Sequence, residues 1–103
     1  MSIGGLRRRL VLEERLRTPG TGGGALTAWV EVATVWARMT PLEVAERAGH
    51  ERIAPRGRLR VRIRHRPEVT AAMRFRDGTR VLDIVSVAAV DRRWLDCLCE
   101  AEA

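Results

Sequence analysis

The sequence predicts a mainly β protein, a small barrel or sandwich of about six strands with one short α-helix inserted mid-chain. Residues 58–66 alternate arginine with other side chains, the dipeptide Asp77-Gly78 separates two alternating runs, and residues 26–39 are rich in Trp, Val and Thr. Alternation with a period of two indicates a half-buried strand, and Asp-Gly between such runs indicates a hairpin. Several short strands with turn signals favour a closed or double-layered sheet.

The size and composition of the chain fit one globular domain over residues 1–103. Hydrophobic residues make up 46% and charged residues 31%, which is typical of a folded domain and not of a disordered one. The formal net charge is +6 and every basic residue is arginine, which favours binding to polyanions. A membrane-length apolar run and the apolar core of a signal peptide are both missing from the sequence, so we expect a cytosolic product and no membrane partner.

The first strand is expected over residues 6–13, and a mobile glycine-rich loop is expected over residues 18–24. Glycines give this loop access to many backbone conformations, as a gate or a clasp would require. The other interpretation is a simple hairpin tip. The loop residues are Thr18, Pro19, Gly20, Thr21, Gly22, Gly23 and Gly24.

The middle of the chain predicts a long bent strand, or two short ones, followed by a helix. Trp29 and Trp36 are expected to anchor the core from residues 26–39. Thr40 is a suitable helix cap, Pro41 fits the first helical position, and Glu43 completes a capping box. The helix is expected to end at Gly49.

The arginine-rich run is the most informative segment. A strand here places Arg58, Arg60, Arg62, Arg64 and Arg66 on one face. Leu59, Val61 and Ile63 then fall on the opposite, buried face. The cationic face has three interpretations: a solvated surface, a nucleic-acid surface, or an interface with an acidic protein. Scarce aromatic residues argue against base stacking, but contact with duplex phosphates needs charge alone.

The last third of the chain predicts a hairpin at Asp77-Gly78, a strand over residues 81–87 and a closing strand over residues 94–100. Leu95, Cys97 and Cys99 share one face of that closing strand, and we interpret both cysteines as reduced core residues. The expected core anchors are Trp29, Trp36, Leu59, Val61, Ile63, Leu95 and Cys97.

Catalytic, metal-binding and cofactor-binding residues are not predicted. The serines lack a nucleophile-elbow context, and the Cys97/Cys99 pair with two distant histidines matches no zinc spacing. Residues 20–24 lack the lysine and the following helix of a phosphate-binding loop. We therefore expect a protein that is not an enzyme.

Five motifs follow one another in a distinctive order: residues 3–7 (IGGLR), 33–37 (ATVWA), 63–70 (IRHRPEVT), 73–74 (MR) and 80–87 (RVLDIVSV). Their order resembles that of the head–tail joining proteins of tailed bacteriophages, also called head closure or stopper proteins, with versions in prophages and gene transfer agents. The resemblance extends over nearly the whole chain, and it implies synthesis in the bacterial cytoplasm.

The resemblance implies a small β-barrel with a short helix that assembles into a ring of six or twelve copies. Such a ring lies in the neck of the virion or phage-like particle, with the portal or adaptor ring on one side and the tail terminator or tail tube on the other. It closes the channel after packaging, docks the tail, and surrounds double-stranded DNA that passes through its lumen. The alternative function is a free-standing small barrel that binds nucleic acid through its arginine-coated strand.

Overall fold

A computed structural model describes residues 7–20, 25–42, 44–47, 50–53 and 56–102 of the 103-residue chain. Eight strands account for most of these residues, and the described part contains no helix that could cross a membrane. The strands are β1 (Arg8–Pro19), β2 (Ala25–Pro41), β3 (Val44–Arg47), β4 (His50–Ile53), β5 (Arg58–Arg64), β6 (Arg74–Asp77), β7 (Arg80–Ala89) and β8 (Trp94–Ala101).

Six of the strands form one closed antiparallel barrel in the order β1-β2-β5-β8-β7-β6. Strand β6 closes it, because Arg74–Arg76 pairs with Val11–Glu13 of β1 while Arg74–Asp77 pairs with β7. The mainly β fold predicted from the sequence is therefore confirmed. All six pairings are between antiparallel neighbours, so the barrel side of each strand is filled by alternate residues.

The core lies inside this barrel and follows the alternation read from the sequence. Leu59, Val61 and Ile63 of β5 have no exposed surface. Every second residue in the centre of β8 is buried beside them. Fully buried side chains of β1, β6 and β7 complete the interior. The core residues without exposed surface are Leu10, Leu12, Ala37, Leu59, Val61, Ile63, Phe75, Leu82, Cys97 and Cys99, and Leu95 is buried beside them.

The hairpin between β6 and β7 turns where Asp-Gly predicts it. Asp77 pairs with Arg80, so Gly78 and Thr79 connect the strands. Gly78 has φ of 61°, in the left-handed region that a side chain disfavours, which explains a glycine at this position.

The predicted mid-chain helix is wrong. Val44–Arg47 pairs with His50–Ile53 in a separate two-stranded sheet, while Glu43 and Gly49 lie outside the described residues. The expected cap and first helical residue, Thr40 and Pro41, are instead held in the barrel, opposite Arg60 and Leu59. A helix of this length also has little stability of its own in water, so the local pairing of a hairpin prevails.

The expectation that Trp36 anchors the core is also wrong. Its side chain is 53% exposed, while its neighbours Val35 and Ala37 are buried. Residues 32–37 are all apolar except Thr34, so both faces of the strand carry apolar side chains. The sequence therefore did not decide which of the two faces points into the barrel. The small Ala37 fills the inward position, which leaves the indole on the outer surface. Trp29 is half-buried on the same strand.

The hairpin of β1 and β2 extends beyond the barrel as an arm. Residues 14–19 of β1 are all exposed and pair only with β2, whereas Leu10 and Leu12 are buried. Thr18 and Pro19, expected in a mobile loop, are strand residues opposite Leu26 and Ala25. Ladder hydrogen bonding thus continues further than the composition suggested. Gly20 follows the strand, and the remaining loop residues 21–24 lie outside the described part.

Candidate assembly interface

The arginines of β5 occupy the outer surface of the barrel. Arg58, Arg60 and Arg64 are exposed and Arg62 is half-buried, in strict alternation with the core residues of the same strand. Arg66 is not on the strand, because β5 ends at Arg64; it lies in the following loop and pairs with Glu68 at 2.9 Å. The predicted five-arginine face is therefore a four-arginine strand face with Arg66 beside it.

Strand β8 neutralises part of this face. Asp96 lies opposite Arg62 and accepts two hydrogen bonds from it, at 2.5 Å from Nε and 2.7 Å from Nη2. This fork-like pair with the guanidinium lowers the pKa of the Asp96 carboxyl. Glu100 lies opposite Arg58 at 3.9 Å, in a looser and more exposed pair. The sequence contains the signal for both contacts, since Asp96 and Glu100 alternate with the buried residues of β8.

Arg64 is covered on the same side by an aromatic ring. Its guanidinium lies 5.5 Å from the centroid of the Trp94 ring, and Trp94 is only 7% exposed. A cation over an indole face is attracted by the electron density of the ring. Strand β8 therefore supplies a carboxylate or an aromatic partner to three of the four strand arginines.

The side of β5 that faces β2 has the opposite character. Arg38 lies opposite Arg62, and Thr40 lies opposite Arg60, so no carboxylate of β2 reaches these guanidinium groups. Within the described ranges, neither Arg38 nor Arg60 forms an ion pair. Positive charge is therefore available on this flank of the barrel.

Trp36 lies in the middle of that cationic flank. Arg9 of β1 is directly opposite Trp36, and its guanidinium is 5.6 Å from the ring centroid. We call the group formed by Arg9, Trp36, Arg38 and Arg60 the Trp36 patch. The sequence interpretation missed its aromatic centre because it assigned Trp36 to the core; the burial of Ala37 is what places the ring outside.

A second charged cluster closes the barrel. Glu13 is 2% exposed, and its two carboxylate oxygens accept hydrogen bonds from Arg74 at 2.8 Å and from Arg76 at 2.7 Å. Arg76 also pairs with Glu31 at 3.0 Å, and Arg74 lies 4.2 Å from the ring of Trp29. These contacts join β1, β2 and β6. Each charge has a partner within the chain, so this cluster is structural.

The two cysteines of β8 are core residues and not reactive thiols. Burial raises the pKa of the Cys97 thiol to about 12 and raises that of Cys99 as well, so neither forms the thiolate that a nucleophile or metal ligand needs. The described residues contain no group of three potential metal ligands.

The barrel therefore carries an exposed surface of tryptophan and arginine, side chains that are enriched in protein interfaces. Comparison with known proteins identifies the family. The family model of the phage head completion proteins matches residues 1–102, and the chain therefore belongs to that family. No curated protein sequence matches significantly.

Two solved structures have the same fold. One is a chain of the virion of a native gene transfer agent particle, with 31% identity and a TM-score of 0.75, covering 95% of this chain and 96% of the other. The second is the solution structure of protein SF1141 from Shigella flexneri 2a, with 28% identity and a TM-score of 0.74, covering 100% and 98%. Family membership identifies a structural, non-enzymatic protein with a head–tail connector role.

Proposed function

We propose that the chain is a head closure or stopper protein in the neck of a tailed phage or phage-like particle. It forms a ring of six or twelve copies between the portal or adaptor ring and the tail terminator or tail tube. The ring closes the channel around packaged double-stranded DNA and provides the docking surface for the tail. The observation that carries this proposal is the Trp36 patch, a cationic and aromatic surface on a rigid wall, in a chain of the head completion family.

The patch favours a protein partner over the DNA of the channel. Tryptophan and arginine are enriched in protein interfaces, where the ring supplies apolar contact area and guanidinium groups pair with carboxylates. Contact with duplex phosphates requires charge but not an exposed indole. A ring repeats the patch in every copy, and we assign the patch to contact with another protein subunit of the neck and not to the DNA.

The arm formed by the distal halves of β1 and β2 is the second functional element of the proposal. Residues 14–19 contribute no buried side chain to the barrel, yet they hold a regular ladder with β2. Leu16 is 51% exposed on this arm. We assign the arm, with the glycine-rich residues 20–24 that follow β1, to the clasp or gate that contacts an adjacent ring.

The proposed function is tested by producing particles with and without this chain and by imaging their necks in the electron microscope. We expect a ring of this protein between portal and tail, and heads without tails when the chain is missing. Tailed, DNA-filled particles formed without the chain would refute the proposal. Tight DNA binding by the purified protein with steep salt dependence, together with normal necks in its absence, would favour the free-standing nucleic-acid-binding barrel.

A further inference from the structure

The barrel wall exposes large apolar side chains on two strands that are opposite each other in the strand order. Trp36 on β2 is 53% exposed, while Val85 on β7 and Val90 directly after β7 are 45% and 47% exposed. Two strands separate β2 from β7 in either direction around the six-stranded barrel, β5 and β8 on one path and β1 and β6 on the other. The two surfaces therefore point in opposite directions.

The second half of β7 is also an open strand edge. Strand β6 pairs only with residues 80–83, so beyond Ile84 β7 has a described neighbour, β8, on one side alone. On the side of β7 that faces β6, the last backbone hydrogen bond is donated by the Ile84 N–H to the Met73 carbonyl. The Val90 N–H donates to the Trp94 carbonyl on the β8 side. Alternation then directs the peptide groups of Val87 and Ala89 toward the open side.

Apart from a β-bulge at its start, this edge lacks the features that usually protect an open strand edge. Residues 84–90 read IVSVAAV, without charge or proline, and residues 85, 86 and 88–90 are exposed. Natural proteins shield such edges with charges, prolines or bulges, or cover them with another chain segment. The β-bulge between Ile84 and Ser86 lies at the start of this stretch and leaves the rest uncovered.

We propose that the Trp36 patch of one copy packs against the β7 edge of the next copy around the ring. The inference rests on the proposed ring and specifies its contact. A closed ring requires two different surfaces that face away from each other on every subunit, whereas a symmetric dimer requires one self-complementary surface. Trp36 on β2 and the Val85–Val90 stretch on β7 meet the ring requirement.

The β7 surface also carries one carboxylate directly beside its apolar residues. The indole of Trp36 is flanked by guanidinium groups of Arg9 and Arg38, which lack a carboxylate partner among the described residues. Asp91 is exposed directly after Val90 and is followed by the exposed Arg92 and Arg93; its Oδ1 atom accepts hydrogen bonds from the backbone N–H groups of Arg93 and Trp94. The proposed contact brings the Asp91 carboxylate of one copy to Arg9 or Arg38 of the neighbouring copy.

Cysteine cross-linking in assembled necks tests the contact. The native thiols of Cys97 and Cys99 are buried, so an introduced surface cysteine reacts selectively with a short bis-maleimide. Thr34 is exposed and lies two residues before Trp36 on the same face of β2, so a cysteine there reports on the contact without removing the indole. Co-assembly of the single variants Thr34→Cys and Val90→Cys should give cross-linked dimers and no larger species. The double variant should give a ladder up to the closed ring, and each single variant alone should give no product.

The control replaces Leu16 on the arm in place of Val90, because Leu16 is similarly exposed but lies outside the proposed contact. Self-linking of either single variant, linking of the Leu16→Cys control as efficiently as Val90→Cys, or linking of Val90→Cys to another particle protein would overturn the proposal. Rings visible in the neck without the expected cross-link would reject this contact alone, whereas necks without rings of this chain would reject the proposed function.

A second measurement does not depend on cross-linking. Trp36→Ser should leave the thermal unfolding midpoint of the isolated protein nearly unchanged, since the ring is exposed, and should reduce its incorporation into necks by about tenfold or more. Normal incorporation of a folded Trp36→Ser protein would contradict the proposal.

Discussion

The two flanks of strand β5 carry the same arginines but differ in what surrounds them. Toward β8, Arg62 is held by Asp96 and Arg64 lies over Trp94. Toward β2, the cross-strand neighbours of Arg62 and Arg60 are Arg38 and Thr40, and no carboxylate is present. The comparison shows that an alternating arginine strand does not by itself form a binding face. The adjacent strand decides which guanidinium groups are already satisfied and which remain available.

This difference separates arginines that stabilise the fold from arginines that are available to another molecule. A half-buried guanidinium–carboxylate pair holds two strands in register, and removing one partner leaves a charge without compensation. An exposed arginine without a partner contributes little to folding and keeps its charge for another molecule. Substitutions in the two kinds of region should therefore affect different measurements.

The largest effect is expected at the most buried charge. Glu13→Gln should lower the free energy of unfolding by on the order of 3 kcal/mol, because Arg74 loses its ion-pair partner and Arg76 keeps only the exposed carboxylate of Glu31. Urea unfolding followed by tryptophan fluorescence measures the change. Glu14→Gln is the matched control, since Glu14 is exposed and should change stability by less than about 0.5 kcal/mol. Equal effects of the two changes would show that the cluster does not stabilise the barrel.

A smaller loss is expected on the neutralised flank of β5. Asp96→Asn should cost about 2 kcal/mol, because it removes a charge-assisted pair that is about one-fifth exposed. Glu100→Gln is the control, since that carboxylate is 3.9 Å from Arg58 and half exposed. If Glu100→Gln destabilises the protein as much as Asp96→Asn, the distinction between the two pairs fails.

The same pair gives a pH dependence with a definite sign. The folded protein lowers the pKa of Asp96 below its ordinary value of about 3.9. Its contribution to stability is therefore complete above about pH 4 and is lost as the pH falls through the lowered pKa. Glu102 acts in the opposite direction, because a hydrogen bond with Asp83 raises its pKa and favours the folded protein at lower pH. Urea midpoints between about pH 2 and 6 should fall less steeply toward acid in Asp96→Asn than in the wild type. Parallel slopes would contradict the assignment to Asp96.

The smallest effect on stability is expected on the open flank. Arg38→Ser and Arg60→Ser should each change the free energy of unfolding by less than about 0.5 kcal/mol, since neither side chain forms an ion pair in the described part of the chain. Their combination should nevertheless weaken association with other neck components and reduce its salt dependence. Sedimentation or pull-down at two salt concentrations measures this. Unchanged assembly of the folded double variant would remove the patch from the interface.

Several elements could be predicted because their signals are local. The alternation in residues 58–64 requires a two-sided strand, and Asp77-Gly78 supplies the left-handed residue that a tight hairpin needs. The helix after Thr40 could not be excluded in the same way, because cap residues and a short apolar stripe are equally compatible with a strand end. The conformation of this segment depends on the pairing of Thr40 and Pro41 with strand β5, which continues the strand where a helix was expected to begin.

The amino-acid sequence by itself determined a mainly β chain and the faces of its most regular strands, because side-chain direction along a strand repeats every two residues. Only the tertiary structure decided that β8 and β2 flank β5, that β6 closes the barrel onto β1, and that Trp36 lies outside. The physical reason is distance along the chain. Arg62 and Asp96 are separated by 34 positions, and the pairing that joins them also determines which arginines remain available to a partner.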